Sequence, residues 1–325
     1  MIDLLGREVS YLRISVTDRC NLRCRYCMPE EGVPAKRHDE ILSYEQILRV
    51  VKACALIGIK KVRITGGEPL VRKGIVEFAA GLNATEGIDE VNLTTNATLL
   101  PKYAKGLKAA GIKSINIGLN TLKFEKYSHI TRCGDLNDAL CGIDTALEEG
   151  FDRVKINVVI MKGFNDDEVM DFVNLTKARP LLIRFIELMP IAQAGNYPEM
   201  YLSTQEIMRN IDGLEQLNER FGNGPARYYR IPGYEGKLGF ISAVSERFCG
   251  DCNRIRMTAD GKLKTCLHSG QEFDLRELLK SADDVNLSKE IGNMLKSKPE
   301  GHGFAGRAGL NGRSDCDRFM SQIGG

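Results

Sequence analysis

Six short runs rich in Val, Ile and Thr recur along the first 190 residues, each followed by an amphipathic stretch, and this rhythm constrains the fold more than any other feature. The strand candidates are 11–17, 61–65, 90–95, 114–119, 153–160 and 181–188; helical patterns between them cover 44–56, 75–83, 103–109, 137–149 and 166–177. Each apolar run is too short for a globular helix, and its β-branched content suits a buried parallel strand. Six βα units predict an α/β fold, a partial (βα)6 TIM-like barrel, since a closed barrel needs eight. The functional loops of such a sheet lie at the carboxyl ends of its strands.

Beyond residue 212 the rhythm changes. Short antiparallel strands are expected around 227–231, 237–243, 254–258 and 262–267, with Ala259-Asp260-Gly261 as a hairpin turn. Two helix candidates and a glycine-rich tail over 301–325 follow. The expected division is a barrel over 1–212 and an α+β module over 213–325. By composition alone the tail reads as a disordered terminus.

Six of the ten cysteines form two close sets. Cys20, Cys24 and Cys27 follow the first strand candidate, while Gly66-Gly67-Glu68-Pro69 follows the second, so both motifs fall on the expected active face. Three thiolates at this spacing can hold three corners of an iron–sulfur cubane and leave one iron open for a substrate or cofactor. A zinc knot with His38 as fourth ligand is the competing reading, although structural zinc favours paired C-x2-C units. Cys249 and Cys252 do form such a pair, with Cys266 downstream; His268 or Cys316 would complete a zinc site, and without them the set is a second three-ligand cluster. Cys54, Cys133, Cys141 and Cys316 are scattered and read as ordinary thiols.

A net charge of +2 argues against a polycationic nucleic-acid face. No apolar run approaches the ~20 residues of a membrane span, and the N-terminus is charged too early for a signal peptide. Cysteine-rich and leaderless, the chain is expected in a reducing cytoplasm. Its basic residues are placed more pointedly than its net charge suggests. Arg254 and Arg256 alternate around Ile255, so in a strand both guanidiniums share one face. Arg13, Arg63, Lys155 and Arg184 also lie in strand candidates. Inward cations on several strands call for an anion, and arginine matches phosphate oxygens with a planar fork. No P-loop motif occurs, so a nucleotide would be held in another way.

The Cys20–Cys24–Cys27 spacing resembles the radical S-adenosylmethionine superfamily. Leu12 to Pro29, Arg63 to Pro69, Cys249 to Arg256 and the terminal Gly324-Gly325 narrow the resemblance to the GTP 3′,8-cyclase family of molybdenum cofactor biosynthesis. That resemblance implies a C-terminal domain covering the barrel's open side, two [4Fe-4S] clusters, S-adenosyl-L-methionine, GTP as substrate and a reducing electron donor. It further implies a homodimer and a downstream cyclic pyranopterin monophosphate synthase. Matched motif by motif, Cys20, Cys24 and Cys27 hold the first cluster and Cys249, Cys252 and Cys266 the second. Tyr26, Gly67, Gly118 and Met189 face S-adenosylmethionine. Arg13, Arg63, Thr94, Lys155, Arg254, Ile255 and Arg256 meet GTP, and Arg13, Arg254, Arg256, Gly324 and Gly325 serve catalysis, the tail threading into the barrel. Gly118-Leu119-Asn120 stands where the family usually has Ser-Leu-Asp, so a hydroxyl that would touch the cofactor is absent.

The expected reaction begins when a 5′-deoxyadenosyl radical takes the C3′ hydrogen of GTP; the carbon radical then attacks C8 of the guanine. A radical enzyme that modifies a peptide, with an auxiliary cluster, is the alternative. A non-catalytic metal carrier would leave the Gly-Gly-Glu-Pro turn and the strand arginines unexplained.

Overall fold

The expected rhythm folds into β1 (Tyr11–Ser15), β2 (Lys61–Thr65), β3 (Glu90–Thr95), β4 (Ser114–Gly118), β5 (Arg153–Ile160) and β6 (Leu181–Glu187), each parallel to the next. The structure is a computed structural model that describes residues 1–34, 36–190, 197–219, 221–222, 224–302 and 315–324. Helices α1 (Tyr44–Leu56), α2 (Ile75–Asn83) and α3 (Leu100–Ala109) return the chain between successive strands. α4 (Phe124–Thr131) and α5 (Leu136–Glu148) link β4 to β5, and α6 (Val169–Asn174) links β5 to β6. α1 starts on a capping box in which Ser43 Oγ accepts from Gln46 N at 3.2 Å and Gln46 Oε1 accepts from Ser43 N at 2.8 Å.

Strand alternation sorts the side chains. Leu12, Ile14, Val62, Ile64, Ile115 and Ile117 are buried in the main apolar core shared with the helices, each burial contributing about 1.5–3 kcal/mol. Their neighbours Arg13, Arg63, Asn92, Asn116 and Lys155 turn to the concave face. The result is the expected partial barrel, with a polar interior.

The later strands are antiparallel among themselves as expected, and differ only where they join the barrel. β7 (Glu215–Leu217), β8 (Arg227–Arg230) and β9 (Lys237–Ile241) form an antiparallel set, as do β10 (Arg254–Met257), β11 (Lys262–Lys264) and β12 (Phe273–Asp274). β9, however, runs parallel to β6, and β10 runs parallel to β1. The partial barrel leaves two edges with unpaired backbone groups, and the second module satisfies one with each of these strands. A single sheet therefore runs β12-β11-β10-β1-β2-β3-β4-β5-β6-β9-β8-β7. α7 (Tyr197–Met200) and α8 (Thr204–Met208) lie between β6 and β7; α9 (Arg276–Ser281) and α10 (Asp284–Leu295) follow β12, α10 packing on α1, and α11 (Met320–Ile323) closes the described chain.

Two helical expectations need correction. The pattern over 166–177 yields a 3-10 turn and then α6, which stops at Asn174; Thr176 Oγ1 bonds Val173 O at 2.7 Å and its carbonyl accepts from Gly236 N at 2.9 Å. Helix α4 was not expected at all. It has no side-chain N-cap bond, and its stability comes from burying Tyr127, Ile130 and Thr131.

Candidate active site

The loop carrying the first cysteine set is held from two sides. Gly67 N donates to Thr17 O at 2.7 Å and Glu68 N to Arg19 O at 2.8 Å. A Cβ on Gly67 would lie 2.3 Å from Arg19 O, so only glycine permits this approach. On the other side α4 offers its terminal carbonyls: Arg23 N donates to Thr131 O at 3.0 Å and Arg25 N to Ile130 O at 2.9 Å. Groups that a helix end leaves unsatisfied here become the loop's anchor. Glu68, 1% exposed, accepts from Leu70 N, Thr95 Oγ1 and Asn96 N at 3.0, 2.8 and 2.7 Å, tying the β2 and β3 loops together. Burial raises its pKa to about 7 despite those bonds.

Cys20, Cys24 and Cys27 all face one cavity. Leu22 N donates to Cys20 Sγ at 3.3 Å, and Asn96 Nδ2 approaches it at 3.9 Å. Burial pushes the Cys20 thiol up to about 11 and the Cys24 thiol to about 12, with Cys20 adding to the rise at Cys24; Cys27 is raised by burial and by both neighbours. Three thiolates packed this way require a cation, and metal coordination deprotonates such thiols. Among the described residues, no group of three His, Cys, Asp or Glu side chains converges on a single ion. A lone zinc draws its ligands to about 2.0–2.3 Å, whereas a cubane distributes its cysteines over separate irons. The donor set fits the cluster. His38 is exposed in a 3-10 turn and does not line the cavity, which leaves the zinc knot without its fourth ligand.

Cys249, Cys252 and Cys266 line the same cavity. Arg7, paired with Asp3 at 2.6 Å, braces this region from behind by donating to Cys249 O at 3.0 Å and Pro299 O at 2.9 Å. Burial alone would raise the Cys252 thiol, but Lys298 and Arg254 outweigh it and lower the pKa. His268 lies beside Cys266 on the cavity wall, while Cys316 is buried with Leu267 and Ile323.

The space between the two cysteine sets measures about 390 Å³. Arg256, Arg13 and Arg63 occupy one register row across β10, β1 and β2. Lys61, Lys155, Arg184 and Arg254 also line the cavity, against one carboxylate among its described lining residues, Glu90. Glu90 is already committed to Lys61 at 2.9 Å and Arg153 at 2.6 Å. Burial, then Arg184 and Arg63, lower Lys155 to about 6; its Nζ donates to Phe221 O. Arg13 is depressed by burial and then by Arg256. Asn92 Oδ1, Thr94 Oγ1, Asn116 Oδ1, Asn157 Oδ1, Arg184 Nε and Arg254 Nε are buried without hydrogen-bond partners among the described residues. Buried polar atoms rarely stay unpaired, so this interior suits a ligand that carries several negative charges and hydrogen-bonding edges.

The structure brings Arg13, Tyr26, Arg63, Gly67, Thr94, Gly118, Lys155, Met189, Arg254 and Arg256 to the cavity wall with all six cysteines. Ile255 can meet a ligand through its backbone alone, because strand alternation sends its side chain to the opposite face, where it is fully buried in the apolar core. Gly324 lies beside Ser15 and Thr65, its carbonyl bonded to Arg256, while Gly325 lies outside the described residues. Sequence reasoning missed Glu68, Asn96 and the cavity-facing Asn92, Asn116 and Asn157, which stand on successive strands at different register levels. Asparagine is disfavoured in strands, so its recurrence at concave positions of three strands was the available signal.

Comparison with known proteins agrees with this geometry. The radical SAM superfamily model matches residues 14–176, and the molybdenum cofactor synthesis C model matches residues 181–304. The GTP 3′,8-cyclase of Alkaliphilus oremlandii (strain OhILAs) is 46% identical over 326 residues, covering 100% of both chains. That of Heliobacterium modesticaldum (strain ATCC 51547 / Ice1) is 48% identical over 332 residues, again covering 100% of both. Among solved structures, Streptococcus suis SuiB bound to precursor peptide SuiA is similar in fold, with a TM-score of 0.60 and 15% identity, covering 90% of this chain and 67% of that one. The chain belongs to the GTP 3′,8-cyclase family of the radical S-adenosylmethionine superfamily.

Proposed function

We propose that this enzyme converts GTP to (8S)-3′,8-cyclo-7,8-dihydroguanosine 5′-triphosphate, the radical S-adenosylmethionine step of molybdenum cofactor biosynthesis. The observation that carries the reading is that two three-cysteine sets face one cavity whose wall is cationic. When bound, the first cluster and S-adenosylmethionine supply a 5′-deoxyadenosyl radical that removes the C3′ hydrogen and allows C3′ to bond C8.

The chain's own part is binding and positioning. Cys20, Cys24 and Cys27 would hold the first cluster, with Tyr26, Gly67, Gly118 and Met189 around the cofactor. Cys249, Cys252 and Cys266 would hold the second. Arg13, Arg63, Lys155, Arg254 and Arg256 would neutralise the triphosphate, and Thr94 with the backbone at Ile255 would add polar contacts. Arg256 would place Gly324 against the substrate, and Gly325 shares its proposed catalytic role. Proximity of this kind supplies much of the acceleration in reactions between held partners, and keeping water and other hydrogen donors away from the radical would prevent its quenching.

Homodimer assembly, a reducing electron donor, a downstream cyclic pyranopterin monophosphate synthase and a cytoplasmic location belong to the same proposal and are supported by family membership, while the division at residue 212 rests on the change to the antiparallel set β7, β8 and β9. Among the described residues no helix is long and apolar enough to cross a membrane. The cationic interior favours a polyphosphate over the peptide of the alternative reading.

Anaerobic reconstitution with GTP, S-adenosylmethionine and dithionite, followed by mass analysis, tests the reading. The expected product has the mass of GTP and a new chromatographic position, because the hydrogen lost from C3′ is balanced by one electron and one proton. Unchanged GTP beside 5′-deoxyadenosine and methionine would overturn it.

A further inference from the structure

Lys298 is only 6% exposed, and no carboxylate pairs with it among the described residues. A buried ammonium needs compensation. Its Nζ reaches Cys252 Sγ at 3.4 Å, Arg254 O at 2.8 Å and Thr265 O at 2.7 Å. These three acceptors match the three donors of an ammonium. They also lie on two separate stretches of chain, one carrying Cys252 and the other running directly into Cys266. The lysine is itself anchored: its amide donates to Leu295 O at 3.2 Å at the end of α10, and its carbonyl accepts from Arg7 Nη2 at 3.1 Å. Arg7 is the same side chain that holds Cys249 O.

We propose that Lys298 is a positioning residue for the second iron–sulfur cluster, joining its two cysteine limbs and setting its reduction potential through a positive charge at Cys252. The proposal rests on the reading of Cys249, Cys252 and Cys266 as ligands of an iron–sulfur cluster. A hydrogen bond or positive charge at a ligating sulfur favours the reduced, more negative state and raises the potential. Among the described residues no cation hydrogen-bonds a sulfur of the first set. Its sulfurs receive neutral donors, the amides of Leu22 and Ser321 and the side chains of Tyr26 and Asn96, and Arg23 acts on Cys20 through its charge alone. Lys298 therefore acts on one cluster and not on the other.

The test compares the full-length parent with Lys298→Met and Lys298→Arg after anaerobic reconstitution, measuring iron, sulfide and zinc and titrating each cluster by electron paramagnetic resonance. Lys298→Met should lower the second cluster's midpoint by at least a tenfold change in the reduced-to-oxidised ratio, ~59 mV for one electron. The first cluster should stay within threefold of the parent, and Lys298→Arg should recover most of the shift. Selective failure of Lys298→Met to load the second site, restored in Lys298→Arg, would equally support the bridging role. An unchanged second potential in Lys298→Met, or loss of both clusters together, would overturn the proposal. Stoichiometric zinc at the second site of the parent would overturn the two-cluster reading, and this proposal with it, before any variant is compared.

Discussion

Arg256 Nη1 donates to the carbonyl oxygen of Gly324 at 2.6 Å, fastening the end of the described chain to a guanidinium on the barrel wall. The same nitrogen reaches Ile323 O at 3.2 Å. Gly324 has φ +71, and a Cβ there would lie 2.2 Å from Thr65 Oγ1. We expect Gly324→Ala to lose cyclisation while both clusters load and S-adenosylmethionine is still cleaved. Left-handed backbone costs a non-glycine residue about 1–2 kcal/mol before the clash is counted. Parallel assays of cyclised nucleotide and 5′-deoxyadenosine check this; equal loss of both products would show damage to the first cluster instead.

Arg256→Ala should weaken GTP binding as well as release the tail. Loss of a charge-assisted hydrogen bond of about 1.5–3 kcal/mol corresponds to roughly a 10- to 150-fold loss in affinity. Equilibrium binding of GTP to the cluster-loaded variant measures it, with iron content as the control for folding.

Nucleotide binding should take up a proton. Burial and the neighbouring Arg184 and Arg63 hold Lys155 at about 6 in the free protein, so it is largely neutral at pH 7.5. A triphosphate beside it favours the charged form and raises that value. Uptake should approach one proton per GTP between pH 7 and 8 and decline below pH 6, where the lysine is already charged. Calorimetry in two buffers of different ionisation enthalpy reads the proton directly. Lys155→Met should abolish the difference between buffers.

The tail has a second anchor at Arg318. Its guanidinium bonds both Glu272 oxygens at 2.7 Å and both Asp260 oxygens at 3.1 Å. Burial opposes ionisation of Asp260, but bonds from Thr258 and Arg318 prevail and hold it down to about 2. A lowered carboxyl pKa stabilises the fold above the unfolded value of about 3.8 and loses that contribution as pH falls toward about 2. Amide exchange over 315–324 should therefore remain protected at pH 5. Arg318→Leu should remove that protection while the barrel strands keep theirs.

Gly118 has open space where a side chain would begin, with nothing within 4 Å of a built Cβ. Gly118→Ser should leave stability within about 0.5 kcal/mol of the parent. One added hydrogen bond of about 0.5–1.5 kcal/mol would tighten S-adenosylmethionine binding by up to roughly 10-fold. Thermal unfolding and cofactor titration separate the two effects.

The barrel was legible because one pattern carries two messages: Leu12 and Ile14 mark the packed face of β1, while Arg13 between them marks the ligand face. The parallel placement of β9 and β10 was not legible, since nothing within those segments reports that Arg256 lies beside Arg13 across more than 240 residues of chain. Helix α4 escaped for a similar reason, its stabilising partner being the cysteine loop rather than its own sequence. Cysteine spacing marked both three-cysteine sets that face the cavity, but Lys298 became visible only when folding brought Cys252 and Thr265 to its ammonium.

The most direct test of the account uses GTP deuterated at C3′. The cluster-loaded enzyme with S-adenosylmethionine and dithionite should yield 5′-deoxyadenosine carrying one deuterium, in step with a cyclised nucleotide one mass unit lighter than the labelled GTP. Unlabelled 5′-deoxyadenosine with GTP recovered intact would contradict the claim that this cavity holds the nucleotide for radical attack at C3′.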